Sequence, residues 1–470
     1  MSVVVVGGGP AGMNAAVRTA RAGAEVVLVD SAEQLGGQFH RQLPAQFAAQ
    51  RPDRVQHDWQ RFLALRDEIL AHPRIRYLPR STVWALEPDQ LVLHVQSGSA
   101  DALDRRSSVL RADALVLATG AHDRVLPFPG WDLPGVFSAG AAQAMAKGQR
   151  IAVGRRVLVA GTGPFLLPVA ESLLDVGAEV VGVLEAGNPA AWLRQSTAIA
   201  GQFGKLAELA GYAARFAGRV PYRIRTTVVE ARGDDRVRTV VTAKVDSAWR
   251  PIPGTQRRIE VDAVCVGHGF VPQLELALAA RCRVVDGFVE VDAAQRTSTP
   301  GVFAAGETTG IGGAQLAAAE GAVAGLAAAV HAGVTNWNTV EAQAREALVN
   351  VRSGREFARA LARSHPIGSG WSEWLKPDTL VCRCEEVPYR ALKDAVLQRT
   401  AHSARSLKLL CRVGLGPCQG RICGRNATDL AEQLLGEPLP DPETPARRPI
   451  ATPIRLADLA SIPTSNEEEK

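Results

Sequence analysis

With 470 residues the chain has room for about three domains and their buried cores. Its 53 basic and 48 acidic side chains leave a formal charge of +5 that is spread along the sequence, without a basic block or aromatic–basic alternation, which argues against a nucleic-acid partner. Val3 to Val6 run directly into glycines with no basic n-region or small-residue cleavage site. The expected compartment is therefore the thiol-reducing cytoplasm, docking on the inner face of the membrane being left open, and the seven cysteines need not form disulfides.

The N-terminal segment reads as strand Val3 to Val6, a Gly7-Gly-Gly9-Pro10-Ala11-Gly12 turn, helix Ala11 to Ala22, and strand Glu25 to Val29 ending at Asp30. Such a βαβ unit places a pyrophosphate on the helix N-terminus and ribose hydroxyls on the acid closing the second strand. Another apolar strand, Ala114 to Ala118, ends in Thr119-Gly120 and enters a proline-rich stretch that reads as a hinge. A second unit follows: strand Arg156 to Ala160, loop Gly161-Thr-Gly163-Pro-Phe-Leu166, helix, strand Glu179 to Leu184, then Glu185. Leu166 replaces the third glycine, so this loop is either distorted or no longer binds a nucleotide.

An amphipathic helical stretch is expected from about Ala198 to Phe216, β-prone segments at Tyr222 to Val229 and Arg236 to Val245, and a strand Ala263 to Gly267 closing the second sheet. From Phe288 the chain re-enters the first domain. Leu316 to Val334 is an Ala/Gly-rich apolar run whose Gly321-x-x-x-Gly325 spacing we read as a close-packed helix in a core, not a membrane span. A linker rich in helix formers, Val340 to Ala362, leads to a cysteine region near Pro377 to Gly436 and a polar, proline-rich tail too broken to form its own core. The expected fold is α/β. It has a split nucleotide-binding domain (1–123 and 272–335), an inserted NAD-binding-like domain (124–271), a helical linker (336–376), a small cysteine domain (377–436) and the tail (437–470).

Cys382-Arg-Cys384 and Cys418-x-x-x-x-Cys423 are two close thiolate pairs able to converge on a small inorganic cluster. Structural zinc favours Cys-x-x-Cys knuckles, often with His, and neither occurs here. We therefore read a 2Fe-2S site ligated by Cys382, Cys384, Cys418 and Cys423, its negative charge offset by Arg383, Arg412, Arg421 and Arg425, with zinc as the competing reading. Cys411 reads as a non-ligand that could exchange with Cys418, and Cys265 and Cys282 as small buried hydrophobes.

In order, Gly7, Gly9, Gly12, Asp30, Gly36-Gly37, Thr119-Gly120 and Phe303-Ala-Ala-Gly306-Glu307 resemble the two-dinucleotide-binding-domain flavoproteins of the pyridine nucleotide-disulfide oxidoreductase superfamily. The resemblance implies that Gly7, Gly9, Pro10, Ala11, Gly12, Asp30, Gly37, Gln38, Thr119, Gly120, Gly306 and Glu307 hold FAD or another adenine nucleotide. Glu307 stands where the family usually has the shorter Asp. Gln38 to Leu43 replaces the redox cysteines of disulfide reductases, so dithiol chemistry is not expected. Gly414-Leu-Gly-Pro-Cys418-Gln-Gly-Arg-Ile-Cys423 resembles the bacterioferritin-associated-ferredoxin-like 2Fe-2S domain. With Pro127-Phe-Pro-Gly-Trp131 and Gly161-Thr-Gly-Pro-Phe-Leu-Leu-Pro168, the whole chain is similar to the α-type subunits of heteromeric, dye-linked amino-acid dehydrogenases of the opine, proline, hydroxyproline and cyanide-forming kinds.

That resemblance implies an electron-transferring oxidoreductase subunit that acts on CH–NH or CH–NH2 donors. Its partner would be a β-type FAD-dependent dehydrogenase subunit, with or without a small third subunit, and an FMN would lie at the boundary between them. No catalytic constellation is legible: Arg and His are plentiful but scattered, with no carboxylate clamp evident. Two other readings stay open, a stand-alone NADH-dependent FAD/2Fe-2S reductase and a non-enzymatic iron-sulfur sensor or scaffold.

Overall fold

The computed structural model describes residues 1–47, 49–100, 102–195, 211–212 and 214–460. A run of four valines has no polar face to offer solvent, and such a strand belongs inside a parallel sheet covered on both sides. Ser2–Val6 accordingly pairs in parallel with Glu25–Val29 and with Ala114–Leu117. The sheet has five strands in the order Val302–Ala304, Ala114–Leu117, Ser2–Val6, Glu25–Val29, Ile75–Leu78, so the chain leaves it after Leu117 and returns near residue 302.

Helices Pro10–Arg21 and Ala314–His331 lie together on one face of this sheet. A Cβ on Gly321 would stand 2.0 Å from the Ala11 carbonyl oxygen, and one on Gly325 2.3 Å from that of Ala15. The Gly-x-x-x-Gly spacing is thus a backbone-to-backbone helix contact inside the protein, fastened by the Thr19 hydroxyl donating to the Gly325 carbonyl at 2.9 Å. The other face is covered by an antiparallel layer, Ser81–Glu87, Val92–Ser97 and Arg106–Arg111. Among the described residues no helix is long and apolar enough to cross a membrane.

The second unit is a five-stranded parallel sheet in the order Tyr222–Ile224, Glu179–Glu185, Arg156–Gly161, Ala263–Gly267, Val136–Ser138, joined by an antiparallel trio, Thr226–Arg232, Thr239–Lys244 and Arg257–Glu260. Ala263–Gly267 therefore does not close the sheet. The three-residue strand after the proline stretch does, and it is too short to show a period in sequence. The expected helix from Ala198 to Phe216 falls largely outside the described residues; 211–212 and 214–216 are helical, with Tyr212 and Phe216 buried.

Two short strands, Ala121–Asp123 and Phe270–Pro272, pair antiparallel where the chain passes out of the first unit and back. From that unit a single helix, Trp337–Ser364, carries the chain to the C-terminal domain; its N-terminus is capped by the Asn336 side chain accepting from the Thr339 amide at 3.0 Å. The C-terminal domain comprises a hairpin, Leu380–Cys382 with Val387–Pro388, and helices Tyr389–Leu397, Ala404–Cys411 and Gly424–Leu435. It shares one hydrophobic core with the second unit: Phe128, Trp131, Trp249, Trp371 and Trp374 pack with Val381, Leu392 and Leu430. The tail lies back on the first unit, where Ala451 is buried and its amide donates to the Trp84 carbonyl at 2.7 Å.

Candidate functional site

The glycine turn is shaped by close approach. Gly7 has φ +110°, and a Cβ there would sit 2.2 Å from the Ala118 carbonyl oxygen; one on Gly12 would sit 1.7 Å from that of Gly7. Those two glycines hold strand, turn and helix together. Gly9 differs: a Cβ there would meet only Gly37 Cα, at 3.8 Å, so the space above it is open to a ligand. Pro10 is in the first turn of the helix, where its missing N–H costs nothing, and Ala11 is buried behind it. Asp30 closes the second strand, buried, its carboxylate accepting from the Gly8 amide at 3.0 Å and the Ala32 amide at 3.1 Å. Burial pushes its pKa up against the pull of those amides. Gly37 faces Gly9 across the turn, whereas Gln38 is exposed.

Thr119 and Gly120 continue the groove and are held by Gln273: the Thr119 hydroxyl donates to the Gln273 carbonyl at 3.1 Å, and the Gln273 amide to the Gly120 carbonyl at 2.9 Å. Open space lies over Gly120, Gly310 and Gly313 as well as Gly9, so the strand ends and two helix N-termini surround a cradle that suits a dinucleotide. Gly306 lies where the fifth strand meets this cradle, its amide donating to Glu320 at 2.9 Å. Glu307 bends away to accept from the Gly313 amide at 2.8 Å, at the start of the helix Ala314–His331. Burial pushes its pKa up to about 7, opposed by the Gly313 and Gly312 amides. Glu320, fully buried, also takes the Thr309 hydroxyl at 2.7 Å and the Arg355 guanidinium at 2.8 Å, tying the groove to the long linker helix.

At the second glycine loop the acid closing the second strand is sealed from solvent. Glu185, fully buried, accepts from the Thr162 hydroxyl at 2.6 Å, the Gly163 amide at 2.8 Å and the Gly187 amide at 2.7 Å. Its carboxylate thus bonds a loop amide, as Asp30 bonds that of Gly8 in the first loop. His365, just past the linker helix, packs against it with Nδ1 3.8 Å from Glu185, while Trp192 donates its indole N–H to His365 Nε2 at 2.8 Å. That acceptor role puts the ring proton on Nδ1, facing the carboxylate. Leu166, the replacement for the third glycine, is buried in the core beneath.

At the C-terminal domain the four cysteines do come together. Cys423 hydrogen-bonds both Cys382 and Cys418, and Cys418 also bonds Cys384. The Cys423 hydrogen bond draws Cys382 down to about 6 and Cys418 to about 4, while Cys423, as the donor, is pushed far up. Backbone amides of Gly414 and Glu385 bond Cys382, and those of Ile422 and Gly420 bond Cys418. Amides aimed at sulfurs stabilise thiolates and tune a cluster bound by them. A Cβ on Gly416 would lie 2.3 Å from that of Cys384, so this loop closes tightly on the first pair. Among the described residues no three His, Cys, Asp or Glu side chains are gathered around a single-ion position. Cys411 instead donates its thiol to the Leu407 carbonyl at 3.1 Å. Cys265 and Cys282 are buried, as expected of small hydrophobes.

The arginines expected around the cluster have other partners, although Arg421 also reaches the Cys418 carbonyl at 3.5 Å. Arg412 pairs with Glu385 at 2.8 Å, Arg421 with Glu275 at 2.8 Å and Arg425 with Asp429 at 3.0 Å, while Arg383 lies over the Trp131 ring, 5.1 Å from its centroid. Sequence cannot show this, because Glu275 and Trp131 come from distant parts of the chain. A cation that sequence reasoning missed, Arg448, half-buried in the tail and bonded to Gln419 at 2.8 Å, lies near enough to Cys418 and Cys423 for their charges to act on it. The Pro127-Phe-Pro-Gly-Trp131 segment is the seat of this domain: the Trp131 indole donates to the Leu380 carbonyl at 2.7 Å, two residues before Cys382.

Two family models match the chain: pyridine nucleotide-disulphide oxidoreductase over residues 1–321 and the BFD-like 2Fe-2S binding domain over residues 380–433. The chain is 32% identical to an opine oxidase subunit of Rhizobium meliloti over 98% of this chain and 87% of that one. It is 32% identical to hydrogen cyanide synthase subunit HcnB of Pseudomonas protegens over 93% of each. L-proline dehydrogenase from P. horikoshii superposes with a TM-score of 0.65 at 19% identity, covering 97% of this chain and 79% of that one, a likeness of fold.

Proposed function

This chain belongs to the pyridine nucleotide-disulphide oxidoreductase family, in the group that holds HcnB and the opine oxidase subunit of Rhizobium meliloti, and from that premise we propose that it is the electron-transferring α-type subunit of a heteromeric, flavin-dependent amino-acid dehydrogenase. The family models imply a flavin and a 2Fe-2S cluster on one oxidoreductase chain. We assign the groove of Gly7, Gly9, Pro10, Ala11, Gly12, Asp30, Gly37, Gln38, Thr119, Gly120, Gly306 and Glu307 to FAD or another adenine nucleotide, and Cys382, Cys384, Cys418 and Cys423 to the cluster. When bound, a flavin exchanges electrons in pairs or singly and a cluster singly. The chain's own residues orient the nucleotide on a helix N-terminus, supply amides to the sulfurs and bury one side of the cysteine site.

One observation carries the reading: Glu185, the acid that would take ribose hydroxyls at the second glycine loop, is fully buried beneath His365 and Trp192. A reductase fed by NADH needs that acid free. With it sealed, electrons enter from another protein, which we take to be a β-type FAD-dependent subunit, with or without a small third one, meeting this chain across an FMN in the cytoplasm. The donors would be CH–NH or CH–NH2 compounds of the opine, proline, hydroxyproline or glycine kind. We retain the division into 1–123 with 272–335, 124–271, 336–376, 377–436 and 437–470 as the working description of the domains.

The test is dye-linked oxidation of those compounds by the isolated chain and by the chain co-expressed with its genomic β-type neighbour. Activity is expected only in the assembled complex. Amino-acid oxidation by the isolated chain, rapid bleaching by NADH, or a complex inactive on every such donor would overturn the proposal.

A further inference from the structure

Both candidate cofactor sites are joined through one residue. Arg421 lies in the ligand loop between Cys418 and Cys423. Its carbonyl accepts from His122 Nε2 at 2.6 Å, and its guanidinium pairs with Glu275 at 2.8 Å. His122 is on one strand of the two-stranded ribbon, Ala121–Asp123, and Glu275 follows the other, Phe270–Pro272. The ribbon begins at the groove: Gln273 Nε2 donates to the Thr119 carbonyl at 3.0 Å and the Gln273 amide to the Gly120 carbonyl at 2.9 Å. From Gly120 and from Gln273 alike, two residues along the chain reach a group that grips Arg421.

The grip has physical weight. Glu275 is buried, and without Arg421 it would be an uncompensated charge. The Arg421 guanidinium also donates to the Ala451 carbonyl at 2.8 Å and reaches the carbonyl of Cys418 itself at 3.5 Å. Just past the end of the same strand, Asn426 of the helix following Cys423 donates to the Val125 carbonyl at 2.7 Å, and Arg124 pairs with Asp429. The ligand loop and the helix after it are therefore anchored to the chain segment that leaves the nucleotide groove. Peptide dipoles and amide directions near the sulfurs set the potential and the electronic anisotropy of a cluster.

We propose that Arg421 is a positioning residue that couples the Gly7 groove to the four-cysteine site, so that an adenine-containing nucleotide in the groove alters the environment of a cluster held by Cys418 and Cys423. The coupling rests on the assignment of both sites given above, and it is reciprocal. Neither a partner subunit nor turnover is needed to see it.

The experiment uses the full-length chain alone, reduced with dithionite, with its nucleotide removed and after addition of FAD. Electron paramagnetic resonance and redox titration read the cluster, and iron analysis reads its occupancy. In the wild-type chain FAD is expected to shift both the g-values and the midpoint potential. Glu275→Gln and His122→Ala should abolish that shift while keeping about two irons per chain and still binding FAD; His122→Gln, which retains a side-chain donor, should restore it. Should Glu275→Gln lose its iron, the His122 pair of variants decides. Identical wild-type spectra with and without bound FAD, or an undiminished shift in His122→Ala, would overturn the coupling. A wild-type chain that takes up no FAD or no iron overturns the cofactor assignment itself, and the coupling with it.

Discussion

Neighbouring glycines in one turn do different jobs, and substitution separates them. A side chain at Gly12 would collide with the Gly7 carbonyl, so damage there is structural, whereas one at Gly9 projects into open space. Gly9→Val is expected to fold with an unchanged melting temperature yet lose at least about tenfold in nucleotide affinity, equivalent to about 1.4 kcal/mol. Nucleotide released from the purified variant and separated by chromatography measures this. A full complement would mean that the loop has another role. Glu307 gives a pH signature. Folded, it keeps its proton up to about pH 7, whereas the ordinary glutamate value is 4.5. Between those values the unfolded chain ionises and the folded one does not, so stability falls as pH rises across the window and levels off above it. Wild type should lose stability relative to Glu307→Gln by about 1 kcal/mol per pH unit there, read from denaturant unfolding of the nucleotide-free chain. Parallel curves would show that burial does not hold the proton.

The linker helix Trp337–Ser364 is more than a spacer, because it reaches the residues beneath the first groove and leads into the cover of the second loop's acid. Arg355, midway along it, neutralises buried Glu320 beneath the first groove, and His365 at its end covers Glu185 in the second. Arg355→Met should leave Glu320 charged and unpaired and cost about 3 kcal/mol, whereas adding Glu320→Gln should recover most of the loss; chemical denaturation of the single and double variants decides. The elements legible in sequence were those with a local signal: valine runs ending in glycine turns, and one long stretch of helix formers. Val136–Ser138 and the antiparallel layer over the first sheet carry short or broken patterns, so their pairing is settled by tertiary contacts. The cysteine quartet was legible because its spacing is local. The covering of the second loop's acid was not: Leu166 hinted at a lost site, but Trp192 and His365 are brought onto Glu185 only by folding.

Across the whole molecule the C-terminal domain is not an appendage. Its core is continuous with that of the second parallel-sheet unit, and its tail runs back to the first, where Ala451 is buried against Trp84. Removing the cluster from a domain whose thiolates depend on it should therefore lower the stability of more than that domain. Calorimetry of the chain before and after chelation is expected to show the main transition moving as a unit, with the second unit included. A separate low-temperature peak with the main transition unmoved would mean that the cores are energetically independent. The shared core also has an optical consequence. Four of the eight tryptophans, Trp131, Trp249, Trp371 and Trp374, belong to the cluster of buried side chains that contains Cys382 and Cys423. A chromophore absorbing in the near-ultraviolet and visible at those sulfurs lies within easy reach for resonance energy transfer from the indoles. The chain thereby contains its own gauge of metallation: dim when the cysteine site is loaded and brighter as it empties, readable in real time without any added label.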